Sequence, residues 1–340
     1  MSRCVNVAIV GATGAVGAEF LRLFTERSFP VGELRLLASA KSIGKTAEFD
    51  GRTILIEEAT EESFNGIDVA FFSAGASRSK ALVPVALHAG ALVIDNSSAF
   101  RADSGIPLVI PEINGELIKK ESRLYPVANC SAIILLVAVN PLRKLGHIDR
   151  LIVSTYQSAS GGGAAVMREL TEQTRAVLAG EGSPPAVLPH PYAFNLFSHN
   201  TDVDLENGYN GEELKVISES RKILGMPELK INVTCVRVPV VRAHSESVTV
   251  EFAGPAPTRT QVHEVLSQAP GVKVVDDREA NHFPMPIEAS GQNDVLVGRI
   301  RADLSNPNAI CMFVSGDQLL KGAALNAVQI AEQYYNVANR

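Results

Sequence analysis

Cys130 lies in Ala128-Asn129-Cys130-Ser131-Ala132, directly before the apolar run Ile133-Ile-Leu-Leu-Val-Ala-Val139. That run predicts a buried helix, with Asn129 and Ser131 favouring its first turn. A thiol at a helix N-terminus meets unpaired N–H groups and the positive end of the dipole. Its pKa should fall there, making a nucleophilic thiolate available near neutrality. A small buried hydrophobe, the role of most free cysteines, fits the fragment equally well. Three further polar groups stand in apolar or glycine-rich surroundings. Gln157 ends an apolar strand ahead of Ser158-Ala-Ser-Gly-Gly-Gly163. Arg237 interrupts the apolar strand Cys235-Val-Arg-Val-Pro-Val240, where a guanidinium needs an anion, either a structural carboxylate or a ligand's. His244, in Arg242-Ala-His-Ser-Glu-Ser247, is either a base or a hydrogen-bonded loop histidine. The remaining six histidines (His88, His147, His190, His199, His263 and His282) are read as ordinary hydrogen-bonded side chains.

The elements that must position these groups fall into two halves. Val5-Asn-Val-Ala-Ile-Val10 is a buried strand running into Gly11-Ala-Thr-Gly14-Ala-Val-Gly17 and a helix from Ala18 to about Arg27. Glycines serve there because the backbone must turn tightly and approach a pyrophosphate on the helix N-terminus. The spacing is GxxGxxG, so Gly11, Thr13, Gly14, Ala15, Val16 and Gly17 are candidate dinucleotide contacts. After the next strand, Glu33–Ala38, no acidic residue is available for a ribose 2′-hydroxyl. Ser39-Ala40-Lys41-Ser42 instead offers hydroxyls and a cation, which suit the 2′-phosphate of NADP, although Lys41 would also serve as one more solvated lysine. Strands Val69–Phe72 and Leu92–Asp95, with a helix from Ser79 to His88 between them, complete a Rossmann-like, doubly wound parallel sheet. Ser73 and Asn96-Ser-Ser98 fall at its strand ends, where such sheets bind ligands.

Beyond residue 128 the strands lengthen and alternate: Leu151–Gln157, Asn232–Val241, Glu246–Phe252, Asp294–Arg301 and Ala309–Val314. Helices at Ala164–Ala179 and Glu212–Leu224, and a long irregular connection over 180–210, complete an α+β pattern on a mixed, largely antiparallel sheet. The expected domains are 1–128 and 129–319, with a C-terminal helix in 320–340 returning to the first. The 340 residues, 46% hydrophobic and 20% charged, suffice for two globular cores. A net charge of −6 argues against a nucleic-acid partner. No apolar stretch has the length of a membrane span, and the N-terminus has no secretory pattern. Cys4, Cys130, Cys235 and Cys311 have neither metal-ligand nor disulfide spacing, so no metal site and a reducing cytoplasmic setting are expected.

From end to end, the chain resembles the aspartate-β-semialdehyde dehydrogenase family. The resemblance rests on Gly11–Gly17, Phe71–Lys80, Asp95–Arg101, Val297–Asp303 and Lys321–Glu332, and above all on three ordered motifs. These are Asn129-Cys-Ser131, Tyr156-Gln-x-x-Ser-Gly161 and Arg237-Val-Pro-Val-x-x-x-His-Ser-Glu246. The resemblance implies NADP-dependent, reversible oxidative phosphorylation of L-aspartate 4-semialdehyde to L-4-aspartyl phosphate. Reduction of the acyl phosphate would be the biosynthetic direction, serving lysine, methionine, threonine and diaminopimelate formation. It assigns Cys130 as nucleophile, Gln157 as the orienter of the acyl group and His244 as general base. Arg237 would pair with the substrate α-carboxylate, Asn129 would line the substrate site, and Arg101 and Lys215, with Glu212 one helical turn before Lys215, would hold phosphate or the acyl phosphate. Ser160, Gly161 and Gln318 would contact the cofactor, and the second domain would form a homodimer. Lys41 stands where arginine is usual, and Gly316-Asp317-Gln318 where Asp-Asn is usual. Two alternatives are a related acyl-phosphate reductase, such as one for N-acetylglutamyl phosphate, and a non-catalytic NADP-binding regulator. Joint retention of Cys130, Gln157 and His244 argues against the regulator.

Overall fold

A computed structural model describes residues 4–336, which divide into two compact units: 4–128 with 323–336, and 129–322. The last four residues of the expected 320–340 segment lie outside the described residues.

In the first unit β1 (Val5–Val10) is followed by α1 (Ala15–Glu26), β2 (Val31–Ala38), β3 (Thr46–Phe49) and β4 (Arg52–Glu58). β5 (Val69–Phe72), α2 (Ala76–His88), β6 (Leu92–Asp95), the single turn α3 (Pro111–Asn114) and β7 (Leu124–Pro126) complete its main body. The strand order β3-β4-β2-β1-β5-β6-β7 is parallel except for the β3–β4 hairpin. β5 is wholly apolar, and β1 and β6 are apolar apart from Asn6 and the terminal Asp95, because both faces of the sheet are covered. On one face Phe20 and Phe24 of α1 pack on Phe71, with ring centroids 4.8 and 5.5 Å apart. On the other, Val10, Leu37, Ala70, Phe72 and Val93 meet Phe64, Val83 and Ala86. Burying each such large side chain contributes roughly 1.5–3 kcal/mol. α1 begins three residues before the expected Ala18, because Gly14 already serves as N-cap and Gly17 sits inside the helix. β3, β4 and β7 were not expected. The first two are rich in charged and exposed residues, and β7 spans three residues. The late helix α9 (Leu325–Tyr335) belongs to this unit, with Arg27 gripping Glu332 through two bonds of 2.7 and 2.6 Å. Asn326 Nδ2 donates to the Val109 carbonyl and Tyr335 Oη to that of Asp68.

The second unit opens with α4 (Cys130–Val139), which is buried from Ser131 to Val139 and therefore apolar all round. Then come β8 (Ile148–Gln157), α5 (Ala164–Leu178), β9 (Phe197–Ser198), α6 (Gly211–Leu224), β10 (Lys230–Arg237) and β11 (His244–Phe252). α7 (Arg259–Ser267), β12 (Val272–Val274), the turn α8 (Pro286–Ala289), β13 (Val295–Ala302) and β14 (Ala309–Gly316) finish it. Its sheet, ordered β12-β13-β14-β11-β8-β10-β9, is mixed: β10–β8 and β12–β13 are parallel and the other pairs antiparallel. The 180–210 connection is not structureless. Glu169 accepts the Val187 and Leu188 N–H groups, Gln173 accepts those of Tyr192 and Ala193, and Leu188 and Tyr192 are buried.

Two strand limits differ from expectation, and both shape the site. β10 ends at Arg237 rather than Val241, since Pro239 has no N–H to continue a ladder. β11 begins at His244 rather than Glu246, so His244 is a strand residue and not a loop residue.

Candidate active site

Three neighbouring strands of the second unit finish together. Arg237, the last residue of β10, is in register with Gln157, the last of β8, and β11 on the other side of β8 starts at His244. Residues far apart in sequence thus meet at one edge of the sheet. The turn Ser158–Gly163 closes over them. The Ser158 N–H and Oγ each lie 3.0 Å from His244 Nδ1, and the Ser158 carbonyl accepts from Arg237 Nη1 at 3.1 Å. Gly161 has no side chain for good reason. A Cβ there would stand 3.0 Å from His244 Nε2 and 3.1 Å from Arg237 Nη1, so the glycine keeps open a recess facing both groups.

Arg237 is 4% exposed, and a second of its donors, Nε, bonds Asn200 Oδ1 at 3.1 Å. No carboxylate among the described residues pairs with it. The structural ion pair weighed above is therefore absent, leaving a buried cation with neutral partners only. His244 is fully buried. Burial and then Arg237 push its pKa down to about 3 against the opposing pull of Glu212. Its Nε2 has no hydrogen-bond partner among the described residues. The preceding residue, Ala243, has φ +72° and is held there by its N–H bond to Gln318 Oε1. A non-glycine residue in that region carries strain, which concentrates at functional sites.

Asn129 is the N-cap of α4, its Oδ1 accepting the Ala132 N–H at 3.1 Å while its own N–H reaches Glu219 at 2.5 Å. Its Nδ2 donates to Glu212 Oε1 at 2.7 Å. Both ends of the Asn129 amide are thus engaged within the protein, which makes it a support for Cys130 and Glu212. Cys130 is the first residue of α4, partly exposed. A Cβ at Gly322 would come within 3.0 Å of Cys130 Cβ, so that glycine leaves room for the thiol-bearing residue. Gln157 Nε2 donates to Ser131 Oγ at 2.8 Å and to Glu212 Oε1 at 3.3 Å. Lys215 Nζ lies 3.5 Å from Glu212 Oε2. Burial opposes a charge on Glu212, yet His199, Lys215 and the Asn129 and Gln157 amides outweigh it and hold the carboxyl well below the usual range. Glu212 is an anion and suits an ammonium, not a phosphate.

His199 was set aside as ordinary, but it is buried in this cluster, with its pKa lowered by burial and then by Arg237. Ser158 was noted only as the start of the glycine-rich turn, and Asn200 and Tyr192, whose Oη reaches the Gln157 carbonyl at 3.4 Å, were missed. Their segment read as irregular connection and offered no periodic signal. Gln318, expected at the nicotinamide amide, has Oε1 on the Ala243 N–H and Nε2 on Ser160 Oγ. That ties both proposed cofactor contacts, Gln318 and Ser160, to each other and to the His244 strand.

The first unit holds its own recess, a cavity of about 330 Å³ lined by Gly11, Thr13, Gly14, Ser39, Ser73 and Arg78, among others. A Cβ at Gly11 would fall 2.4 Å from the Ser73 carbonyl oxygen, and one at Gly17 2.4 Å from that of Gly11. Only glycine permits this turn. Gly14 caps α1 without a side chain, so no side chain occupies the first-turn N–H groups. These features fit a dinucleotide pyrophosphate. Ala15, Val16 and Gly17 form the first turn of α1. Ser42 is buried, with its Oγ 3.4 Å from Thr13 Oγ1, whereas Lys41 is exposed and outside the cavity wall. Arg78, in the first turn of α2, is a cation in that wall which sequence reasoning overlooked. Arg101 is half-buried and donates to the Asn96 carbonyl at 2.8 Å.

Comparison with known proteins places these features in a family. Residues 6–121 match the family described as "Semialdehyde dehydrogenase, NAD binding domain", and residues 139–321 match "Semialdehyde dehydrogenase, dimerisation domain". Aspartate-semialdehyde dehydrogenase of Synechocystis is 50% identical over 96% of this chain and 96% of its own, and that of Bacillus subtilis 44% over 98% of each. A crystal structure of aspartate semialdehyde dehydrogenase II from Vibrio cholerae, described as complexed with ASA, superposes with a TM-score of 0.95 at 42% identity over 99% of both chains.

Proposed function

Since the chain belongs to the aspartate-semialdehyde dehydrogenase family, we propose that Cys130, Gln157, Arg237 and His244 carry that family's reaction in it. The chain is an NADP-dependent oxidoreductase converting L-aspartate 4-semialdehyde and phosphate reversibly to L-4-aspartyl phosphate, an amino-acid biosynthetic step. Arg237 receives the substrate α-carboxylate and Glu212 the α-ammonium, which leaves the aldehyde to Cys130. The Cys130 thiolate adds to the aldehyde carbon. Gln157, anchored on Ser131 and Glu212, borders the acyl group, and His244 faces the reacting oxygen from the recess beside Gly161. The Gly11–Gly17 turn with Ser39, Ser42, Lys41 and Ser73 would hold NADP⁺, which would supply the hydride acceptor. For the phosphate that releases the acyl group from sulfur, Lys215 is the cation that the second unit offers and Arg101 the one that the first unit offers. Ser160 and Gln318 support the site through the Ala243 strand.

The unpaired, buried guanidinium of Arg237 is the observation that carries this reading. Desolvating a cation without a counter-charge is unfavourable, and a ligand carboxylate supplies that charge. A homodimer accords with the dimerisation-domain match and with the second sheet's outer face. There Ser154, Ser247 and Phe313 stand in cross-strand register and only partly covered, as do Ile152, Thr249 and Cys311. All four described cysteines are free thiols, which accords with a reducing cytoplasm. No helix among the described residues is long and apolar enough to cross a membrane. Purified protein given L-aspartate 4-semialdehyde, phosphate and NADP⁺ should generate NADPH absorbance. Turnover of N-acetylglutamate semialdehyde instead would move the assignment to the other reductase.

A further inference from the structure

β13 carries one residue too many for its ladder. Gly298 pairs with Phe313 of β14 and Arg301 with Cys311, so three steps along one strand face two along the other. The surplus forms a bulge, a device that re-aims side chains. Arg299 sits in it with φ +53°, a left-handed backbone that glycine adopts without strain and arginine does not. Strain of this kind concentrates at sites where the side chain is used.

The bulge and the loop after β12 gather three guanidiniums around a cavity of about 370 Å³, lined by Arg278, Asn281, Phe283, Arg299, Ile300 and Arg301. Arg299 Cζ stacks over the Phe283 ring, 4.9 Å from its centroid. Arg301 Nη1 donates to the Arg299 carbonyl and Arg278 Nη2 to that of Ile300, each at 2.8 Å. One contact therefore steadies each cation and leaves most of its donors open. No carboxylate among the described residues pairs with any of the three. The acids nearby in the chain are engaged elsewhere. Asp276 holds Arg259 at 2.7 Å, Asp277 accepts the Glu279 and Ala280 N–H groups, Glu288 holds His282, and Asp303 accepts from Ser305. Like charges gathered without a counter-ion repel one another, and an anion seated among them reverses that. No active-site residue lines this cavity, so its occupant need not take part in the reaction.

We propose that this cavity is a further ligand site, which binds a small polyanion with several phosphate or carboxylate groups through Arg278, Arg299 and Arg301. A guanidinium presents parallel N–H donors that match either group in a bidentate manner, and three of them exceed what a single phosphate or carboxylate needs. The Phe283 face and the Arg299 and Ile300 carbonyls hold the donors ready, which lowers the ordering cost of binding. An acidic side chain from a second copy of the chain would offer the same chemistry, but would bring one carboxylate to three cations.

The test is calorimetric titration of the full-length protein with inorganic pyrophosphate and, separately, with citrate, at saturating NADP⁺ so that the dinucleotide site is filled. The tighter probe tells whether phosphate or carboxylate groups are preferred. Its binding should persist in the double variant Arg101→Ala/Lys215→Ala, which removes the phosphate contacts of the proposed reaction. Arg299→Gly is the decisive variant, since glycine takes φ +53° freely. Its melting temperature should equal or exceed that of wild type, while affinity for the tighter probe falls at least about tenfold, the scale of one charged hydrogen bond. Arg278→Ala, an exposed change outside the bulge, should weaken binding to a similar degree. No saturable binding of either probe at millimolar concentration, or equal affinity in wild type and Arg299→Gly, would overturn the site. So would conversion of a dimeric wild type into a monomeric Arg299→Gly in sedimentation, which would assign the cluster to an acid of the second copy.

Discussion

Replacing Arg237 by lysine preserves the charge and removes the fork, so it separates electrostatics from geometry. At 4 Å and an effective dielectric near 20, attraction between one cation and a carboxylate is about 4 kcal/mol, and both side chains supply it. What differs is the second parallel donor, since an ammonium cannot present two N–H groups in the plane of a carboxylate. A hydrogen bond to a charged group contributes about 1.5–3 kcal/mol. At 1.4 kcal/mol per decade, kcat/KM for L-aspartate 4-semialdehyde should fall roughly 10- to 150-fold. The lysine also forfeits the Nε bond to Asn200, which steadies the side chain, so its ammonium is less well fixed. A substrate held at one point presents its aldehyde poorly to Cys130, and kcat should therefore fall as well as KM rise. NADPH formation gives both constants, and a thermal melt of the same sample controls for folding. A kcat/KM within twofold of wild type would show that Arg237 does not hold the substrate carboxylate.

Cys130→Ser should abolish NADPH formation while leaving NADP binding by fluorescence or calorimetry intact, because a serine hydroxyl stays protonated near neutrality; residual turnover above a small fraction of wild type would refute covalent catalysis there. Lys41→Ala should erase most of a roughly ten- to hundredfold preference for NADP over NAD, judged from the 1.5–3 kcal/mol of one charged contact. If the preference survives in Lys41→Ala and disappears in Arg78→Ala, the cation reading the 2′-phosphate is the one in the cavity wall. Glu246 is fully buried with neither carboxyl oxygen hydrogen-bonded among the described residues, and burial raises its pKa well above 4.5. The unfolded chain releases this proton near the ordinary value while the folded chain keeps it. Stability contributed by the protonated acid is thus present below about pH 4.5 and lost, at up to about 1.4 kcal/mol per pH unit, as pH rises toward the folded value. Glu246→Gln should flatten that slope in urea unfolding between pH 5 and 8, and equal slopes would disprove the assignment.

The chemistry-bearing groups were legible because each breaks a local pattern. Cys130 opens an apolar helix, Arg237 interrupts an apolar strand, and Gly11–Gly17 joins a strand to a helix. Limits set by tertiary pairing were harder to read. His244 looked like a loop residue because nothing local says that β11 reaches back to pair with Gly316 of β14. His199 and Asn200 lie in a stretch without periodicity, ordered by Glu169 and Gln173 from a helix upstream. The fate of the Gln318 amide could not be seen either, since its partners, Ala243 and Ser160, are 75 and 158 residues away.

The second unit holds a costly set of groups at its sheet edge. Arg237 is a buried cation without a counter-ion, Glu212 a buried anion shared by amides and a lysine, and His244 a neutral ring with one polar atom unsatisfied. The cation without a counter-charge and the unsatisfied ring nitrogen oppose folding, because buried polar groups lose water without full compensation, whereas the cations and amides around Glu212 offset its burial. On the proposed function, an amino acid bearing a carboxylate, an ammonium and a carbonyl oxygen would meet all three at once, and its binding would return to the protein what folding withheld. Ala243 fits the same account: its backbone is strained, yet the Gln318 amide holds it, and the residue it places is His244.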